Sequence, residues 1–242
     1  MTLTPLTDQR VVVLGGTSGI GLTTAAQAAE LGARVTVVSS NEARVRAAVE
    51  KLPEGSAGET ANLNDNGQVA ALFDRIGAFD HLVYTAGEPL RMTPLDQMDM
   101  ASAQDFFQLR YFGALRALSA AHPYLRTTGS VVLTSGTAVQ RPGPGWVLGA
   151  SICGAIEAAV RAAAVELAPL RVNAVRPGVS RSPVWDRMPE AEREQMYEQI
   201  AESNLLDRVG EVEDIAEAYV YLLRQDFTTG TILTVDGGSM LT

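Results

Sequence analysis

The 242-residue chain contains one cysteine, Cys153, one lysine, Lys51, and two histidines, His81 and His122. A lone cysteine excludes an internal disulfide and any multi-thiolate zinc or iron–sulfur site. Two histidines leave no material for a histidine-rich centre, so no metal is expected. Basic residues are also short: 19 Lys plus Arg against 28 Asp plus Glu give a net charge of −9. That balance argues against binding nucleic acid or an anionic membrane through a diffuse positive field. No apolar run approaches the roughly 18 residues of a membrane span, and Met1 to Arg10 carries no apolar signal core. The expectation is a soluble, cytoplasmic protein acting on a small molecule, with no nucleic-acid or membrane partner.

What is present is apolar: 46% hydrophobic residues against 19% charged, a composition that excludes disorder. Short β-branched runs alternate with Ala-rich stretches of helical period, the pattern of a parallel sheet with crossover helices. Val11 to Leu14 reads as a strand covered on both faces. Six more strands follow, near 34–38, 58–61, 81–84, 130–134, 171–175 and 231–235. Helices are expected over 19–31, 41–52, 64–76, 102–121, 147–167 and 211–223. The polar stretch 182–203 is expected to be a mobile lid of one or two helices. Short connections make this one doubly wound, Rossmann-type α/β domain over 1–242, a seven-stranded parallel sheet with helices on both faces. Ligands of such a sheet bind at the C-terminal edge of its strands.

The first turn at that edge reads Gly15-Gly16-Thr17-Ser18-Gly19-Ile20-Gly21. Between a strand and a helix, its glycines permit close backbone approach to a pyrophosphate, and the helix N-terminus supplies amide donors. The spacing Gly-x-x-x-Gly-x-Gly resembles that of the short-chain dehydrogenase/reductase family. The resemblance extends through Tyr84-Thr85-Ala86-Gly87, Arg171 to Gly178, Asp214-Ile215-Ala216 and Val235-Asp236-Gly237-Gly238. It implies an oxidoreductase that binds a nicotinamide dinucleotide, with hydride transfer between that coenzyme and a carbonyl or alcohol. Pro177-Gly178 would then face the nicotinamide, Ser182 would bond its carboxamide, Asn62 and Leu63 would lie by the adenine, and Ala86 and Gly87 would line the cleft.

Coenzyme choice is set at the end of the second strand, where a carboxylate would accept from the ribose hydroxyls. Here the residues are Ser39, Ser40 and Asn41, with Arg44 one helical turn on. Two hydroxyls, a helix start and a cation suit a 2′-phosphate, which favours NADP(H) over NAD(H). Ser40 or Asn41 acting simply as a helix cap is compatible with either coenzyme.

The resemblance also implies a catalytic Ser, Tyr, Lys and Asn, and here the chain departs from it. Ser135 ends the fifth strand as expected. The register set by Ala150-Ser151 and Val165 to Pro169 puts Leu148 at the Tyr position and Ile152 at the Lys position, while Arg110 stands at the Asn position. Lys51 lies on the second helix, and no Tyr occurs between Tyr124 and Tyr197. Loss of a general acid costs about 10²–10⁴-fold, or roughly 3–5 kcal/mol of barrier. Arg110 and Ser135 are the catalytic candidates, Arg110 as a fixed cation that stabilises an oxyanion without giving up a proton. Arg110 pairing with a carboxylate across a subunit contact is the alternative. Tyr84 and Tyr111 are read as packing residues, Cys153 as buried and inert.

The loop Arg141 to Trp146, with Trp185, Met188 and Met196, is either an apolar substrate lid or ordinary packing. Small residues along 147–167 suit helix–helix contact, and the resemblance implies a homodimer or homotetramer. Three functions stay open at this point. The first is an atypical NADP(H)-dependent oxidoreductase, the second a dinucleotide-bound sensor or silent subunit, and the third a non-redox isomerase or lyase on the same fold.

Overall fold

The computed structural model describes residues 3–90 and 92–242. Seven parallel strands stand in the order β3-β2-β1-β4-β5-β6-β9: β1 (Arg10–Leu14), β2 (Arg34–Ser39), β3 (Ala57–Thr60), β4 (Phe79–Tyr84), β5 (Leu125–Thr134), β6 (Arg171–Pro177) and β9 (Ile232–Val235). The apolar strands alternate between two cores, because successive side chains leave a strand on opposite faces. Val11 and Val13 pack with α1 (Gly19–Glu30), α2 (Glu42–Val49) and α8 (Val212–Arg224). Val12 and Leu14 pack with α3 (Asn66–Ile76), α4 (Met100–Phe107), α5 (Ala114–Ala121) and α6 (Val147–Glu166). The doubly wound reading is borne out.

Three local features differ from expectation. The helix expected over 102–121 is interrupted by a π segment, Gln108–Gly113, between α4 and α5. Its cause is a side chain from the sheet: the Tyr84 hydroxyl donates to the Leu109 carbonyl at 2.6 Å, and a Cβ at Gly113 would lie 2.6 Å from that hydroxyl oxygen. Insertion into the helical ladder is a recognised origin of such bulges. The fifth strand starts at Leu125, well before Ser130. A two-residue parallel ladder, β7 (Ser180–Arg181) with β8 (Gly210–Glu211), brackets the 182–203 segment, most of which is α7 (Glu190–Ser203).

Helix α6 is 20 residues long and reaches a mean hydropathy of 1.5, enough by those measures alone to cross a membrane. It lies on the sheet, with Ile152, Ile156, Val160 and Ala164 buried against the strands.

Near the opposite end of the strands from the ligand edge, His81 is buried in β4. Its Nδ1 meets the Ser130 hydroxyl at 2.8 Å and its Nε2 meets the Gln9 side chain. Burial, assisted by the charge of Arg171 and opposed by Asp80, pulls the imidazole down to about 4 from 6.5. The unfolded chain therefore binds a proton below pH ~6.5 that the folded chain refuses until about pH 4, so stability falls as pH drops through that window. The expected loss is about 3 kcal/mol. Urea unfolding between pH 7 and 4 should show this slope in the wild type and a flatter one in His81→Gln; equal slopes would contradict the assignment.

Candidate active site

The glycine turn is shaped by contact with the exit of β4. Gly15 has φ +86°, and a Cβ there would come within 2.5 Å of the Ala86 amide nitrogen. A Cβ at Gly21 would lie 2.4 Å from both the Gly15 carbonyl and the Thr85 hydroxyl. Ser18 caps α1 without a side-chain hydrogen bond, so the amides of the first helical turn remain directed at the cleft. Thr17 and Ser18 stand at the rim, whereas Ile20 turns inward against the α1–α8 core. A backbone cradle without Cβ atoms, ahead of uncapped amides, fits a dinucleotide pyrophosphate.

The remaining coenzyme candidates line the same edge. Gly178 is held by its amide to the Val235 carbonyl at 2.8 Å, directly after Pro177. Ser182 and Pro183 fold back over Gly19, with the Pro183 ring 3.1 Å from where a Gly19 Cβ would stand. Asn41 is the α2 cap, its Oδ1 accepting from the Arg44 amide at 3.0 Å, and its own amide donates to Ser39 Oγ at 3.4 Å. Ser40 and the Arg44 side chain are exposed beside it. Asn62 Oδ1 accepts from the Asn64 amide at 3.0 Å, and the Leu63 carbonyl takes Arg116 Nη1 at 2.6 Å.

Arg110 sits in the π segment with its guanidinium laid against Gly87; a Cβ at Gly87 would be 2.7 Å from the guanidinium carbon. Its Nη2 donates to the Glu88 carbonyl, and the Phe106 ring lies 5.3 Å away. Burial draws its pKa down, against the opposing pull of Glu88, Cys153 and Tyr84; an arginine nevertheless stays charged. Among the described residues, Arg110 Nε and Glu88 Oε2 are buried without hydrogen-bond partners. The clue to Glu88 in the sequence was a carboxylate directly after Ala86-Gly87.

Ser135 is held from below. Its hydroxyl donates to Glu157 Oε1 at 2.8 Å. Glu157 lies on α6 and meets Arg176 of β6 in a two-pronged pair, Nε to Oε1 at 2.8 Å and Nη2 to Oε2 at 2.7 Å. Both side chains are under a tenth exposed. Burial would raise the Glu157 pKa, but the Arg176 and Ser135 hydrogen bonds and the charges of Arg176 and Arg161 hold it below the usual range. Opposite charges inside a small-residue helix and a buried strand were the available signal for this pair, and the sequence reading missed it.

Leu148 packs partly buried on the core and Ile152 is buried. Burial pushes the Cys153 thiol up to about 11, in keeping with an inert cysteine. The same cause raises Tyr84. Tyr111 packs edge-on to Phe107 and Phe112. Trp185, buried, stands edge-on to Trp146 with ring centroids 6.2 Å apart, and with Tyr197 and Val209 it forms a small core that Met196 joins.

Comparison with known proteins agrees with this geometry. Residues 15–240 match the family model described as enoyl-(acyl carrier protein) reductase. A short-chain dehydrogenase/reductase of Stachybotrys chlorohalonatus is 36% identical, over 96% of this chain and 97% of its own. A small-chain dehydrogenase solved in complex with NADPH superposes with a TM-score of 0.84 at 32% identity, covering 97% of this chain and all of that one. The MalC reductase/Diels-Alderase of Malbranchea aurantiaca superposes at 0.91 with 28% identity, covering 98% of each chain. The chain belongs to the short-chain dehydrogenase/reductase family of oxidoreductases.

Glu157→Ala leaves the Arg176 guanidinium buried and unpaired, and should cost about 3–5 kcal/mol in denaturant unfolding. Replacing both residues by leucine should recover most of that loss. A single-residue cost below about 1 kcal/mol would contradict a buried pair.

Proposed function

We propose that this chain is an NADP(H)-dependent oxidoreductase acting on a small carbonyl or alcohol substrate without the family's Tyr–Lys proton chemistry. The carrying observation is Arg110, a half-buried arginine whose guanidinium lies against Gly87 with its Nε buried and unpartnered. The glycine turn and the first amides of α1 would hold the pyrophosphate, and Pro177-Gly178 with Ser182 the nicotinamide end. Ser39, Ser40 and Arg44 offer donors to a 2′-phosphate, and no carboxylate stands at the end of β2 to repel it. The small-chain dehydrogenase solved with NADPH supports a nicotinamide coenzyme.

When bound, the nicotinamide supplies or accepts a hydride at the carbon bearing the reacting oxygen. Arg110 contributes fixed positive charge at that oxygen, effective because the cation is partly desolvated and already oriented by the Glu88 carbonyl. Leu148 and Ile152, at the positions where the resemblance places Tyr and Lys, can neither give nor take a proton, so a water molecule in the cleft would supply or accept it. We also place the working form as a cytoplasmic homodimer or homotetramer.

A second reading, a dinucleotide-binding sensor or silent subunit, is favoured by the hydroxyls: Tyr84 and Ser135 are both committed to protein acceptors. Calorimetric titration separates the two. NADPH should bind about tenfold or more tightly than NADH. Arg110→Met should leave NADPH affinity within about twofold but lower turnover in a carbonyl screen about 10²–10³-fold. Tight NADPH binding with no turnover in the wild type would favour the sensor, and no binding of either nucleotide would defeat both.

A further inference from the structure

A serine hydroxyl has one proton to give, and in this chain the proton of Ser135 is spoken for. Glu157 is an acceptor only, because Arg176 occupies both of its oxygens at 2.8 and 2.7 Å and Arg161 approaches Oε2 at 3.7 Å. An ionised carboxylate cannot donate, so Ser135 must be the donor in the 2.8 Å contact. The arrangement is braced from a fourth element, since Arg176 Nη1 donates to the Thr234 hydroxyl of β9 at 3.2 Å. Turning the hydroxyl away would strip a buried carboxylate of one partner. Hydrogen bonds to charged groups are the costly ones to break, which biases the hydroxyl toward Glu157 by about tenfold to a hundredfold.

We infer that Ser135 presents only lone pairs to the cleft, with Glu157 as its positioning residue, so that the site prefers a ligand bearing a hydroxyl over one bearing a carbonyl. Arg110, which has donors and no acceptor, supplies the complementary half. A hydroxyl satisfies both groups, its oxygen accepting from Arg110 and its proton going to Ser135. A carbonyl oxygen satisfies Arg110 alone and leaves Ser135 Oγ facing another acceptor. The preference rests on the oxidoreductase reading only in placing the ligand at this edge. The orientation of Ser135 itself does not depend on that reading.

The experiment has two parts. Neutron diffraction from crystals of the full chain exchanged into D₂O reads the proton directly. The expected result is a deuteron on Ser135 Oγ along the line to Glu157 Oε1, with none on the carboxylate. A Ser135 deuteron directed into the cleft would overturn the inference. In solution, the full chain is saturated with NADPH and probed with cyclohexanol and cyclohexanone by saturation-transfer NMR. Cyclohexanol should give a signal at least threefold stronger, and Ser135→Ala should erase that advantage without weakening the ketone signal, which a merely structural serine would not do. Equal signals, including none from either probe, would overturn the preference, as would an advantage that survives in Ser135→Ala. Tryptophan quenching by NADPH in the same samples reports separately on the coenzyme, so failure of the oxidoreductase reading is distinguishable from failure of this one.

Discussion

A carboxylate and a guanidinium locked together beneath the ligand edge tie this molecule into one piece. Glu157 comes from α6, Arg176 from β6, and between them they engage Ser135 at the end of β5 and Thr234 on β9. Ionic groups with so little exposure are stable when closely paired and hydrogen-bonded, because desolvation otherwise exceeds the Coulombic gain. Helix α6 therefore cannot slide along the sheet without breaking the match. Leu148, Ile152 and Cys153, all on that helix, inherit their positions from it.

The second constraint is steric and lies at the opposite side of the same edge. The glycine turn and the exit of β4 approach so closely that a methyl group at residue 15 or 21 would overlap backbone. The same exit carries Gly87, against which Arg110 lies, and the π segment that presents Arg110 exists because Tyr84 of β4 reaches into the helix. A buried tyrosine hydroxyl needs an acceptor, and the Leu109 carbonyl becomes one only if the helix widens. The proposed coenzyme cradle and the proposed catalytic cation are thus both positioned by the exit of β4.

Much of this was legible in the residues. Uninterrupted apolar runs such as Val11 to Leu14 identify doubly covered strands, and Gly15 to Gly21 identifies the turn that follows, because only a few chain geometries need those residues in that order. The reading that Leu148 and Ile152 stand at the Tyr and Lys positions of the resemblance rests on the register of their flanks. The π segment was not, since it follows from a contact between Tyr84 and Leu109 that lie 25 residues apart, and nothing in the helical periodicity marks it. The Glu157–Arg176 pair was hidden for a similar reason. A glutamate one turn before an arginine on an Ala-rich helix reads as a solvated position until the partner strand is known to stand beneath it. Trp185 and Met196, read as either lid or packing residues, join a small core with Tyr197 and Val209 that the polar sequence around them does not announce.

In the proposed function, an NADP(H) site and a reaction centre at Arg110 share the edge between Gly15 and Gly178. A crystal structure of the protein soaked with NADPH tests that arrangement. The expected complex has the pyrophosphate on the α1 amides, the 2′-phosphate near Ser39, Ser40 and Arg44, and the nicotinamide against Pro177-Gly178 with its reactive face open toward Arg110. A coenzyme bound with its nicotinamide turned away from Arg110, or a cleft that stays empty at saturating NADPH, would contradict it.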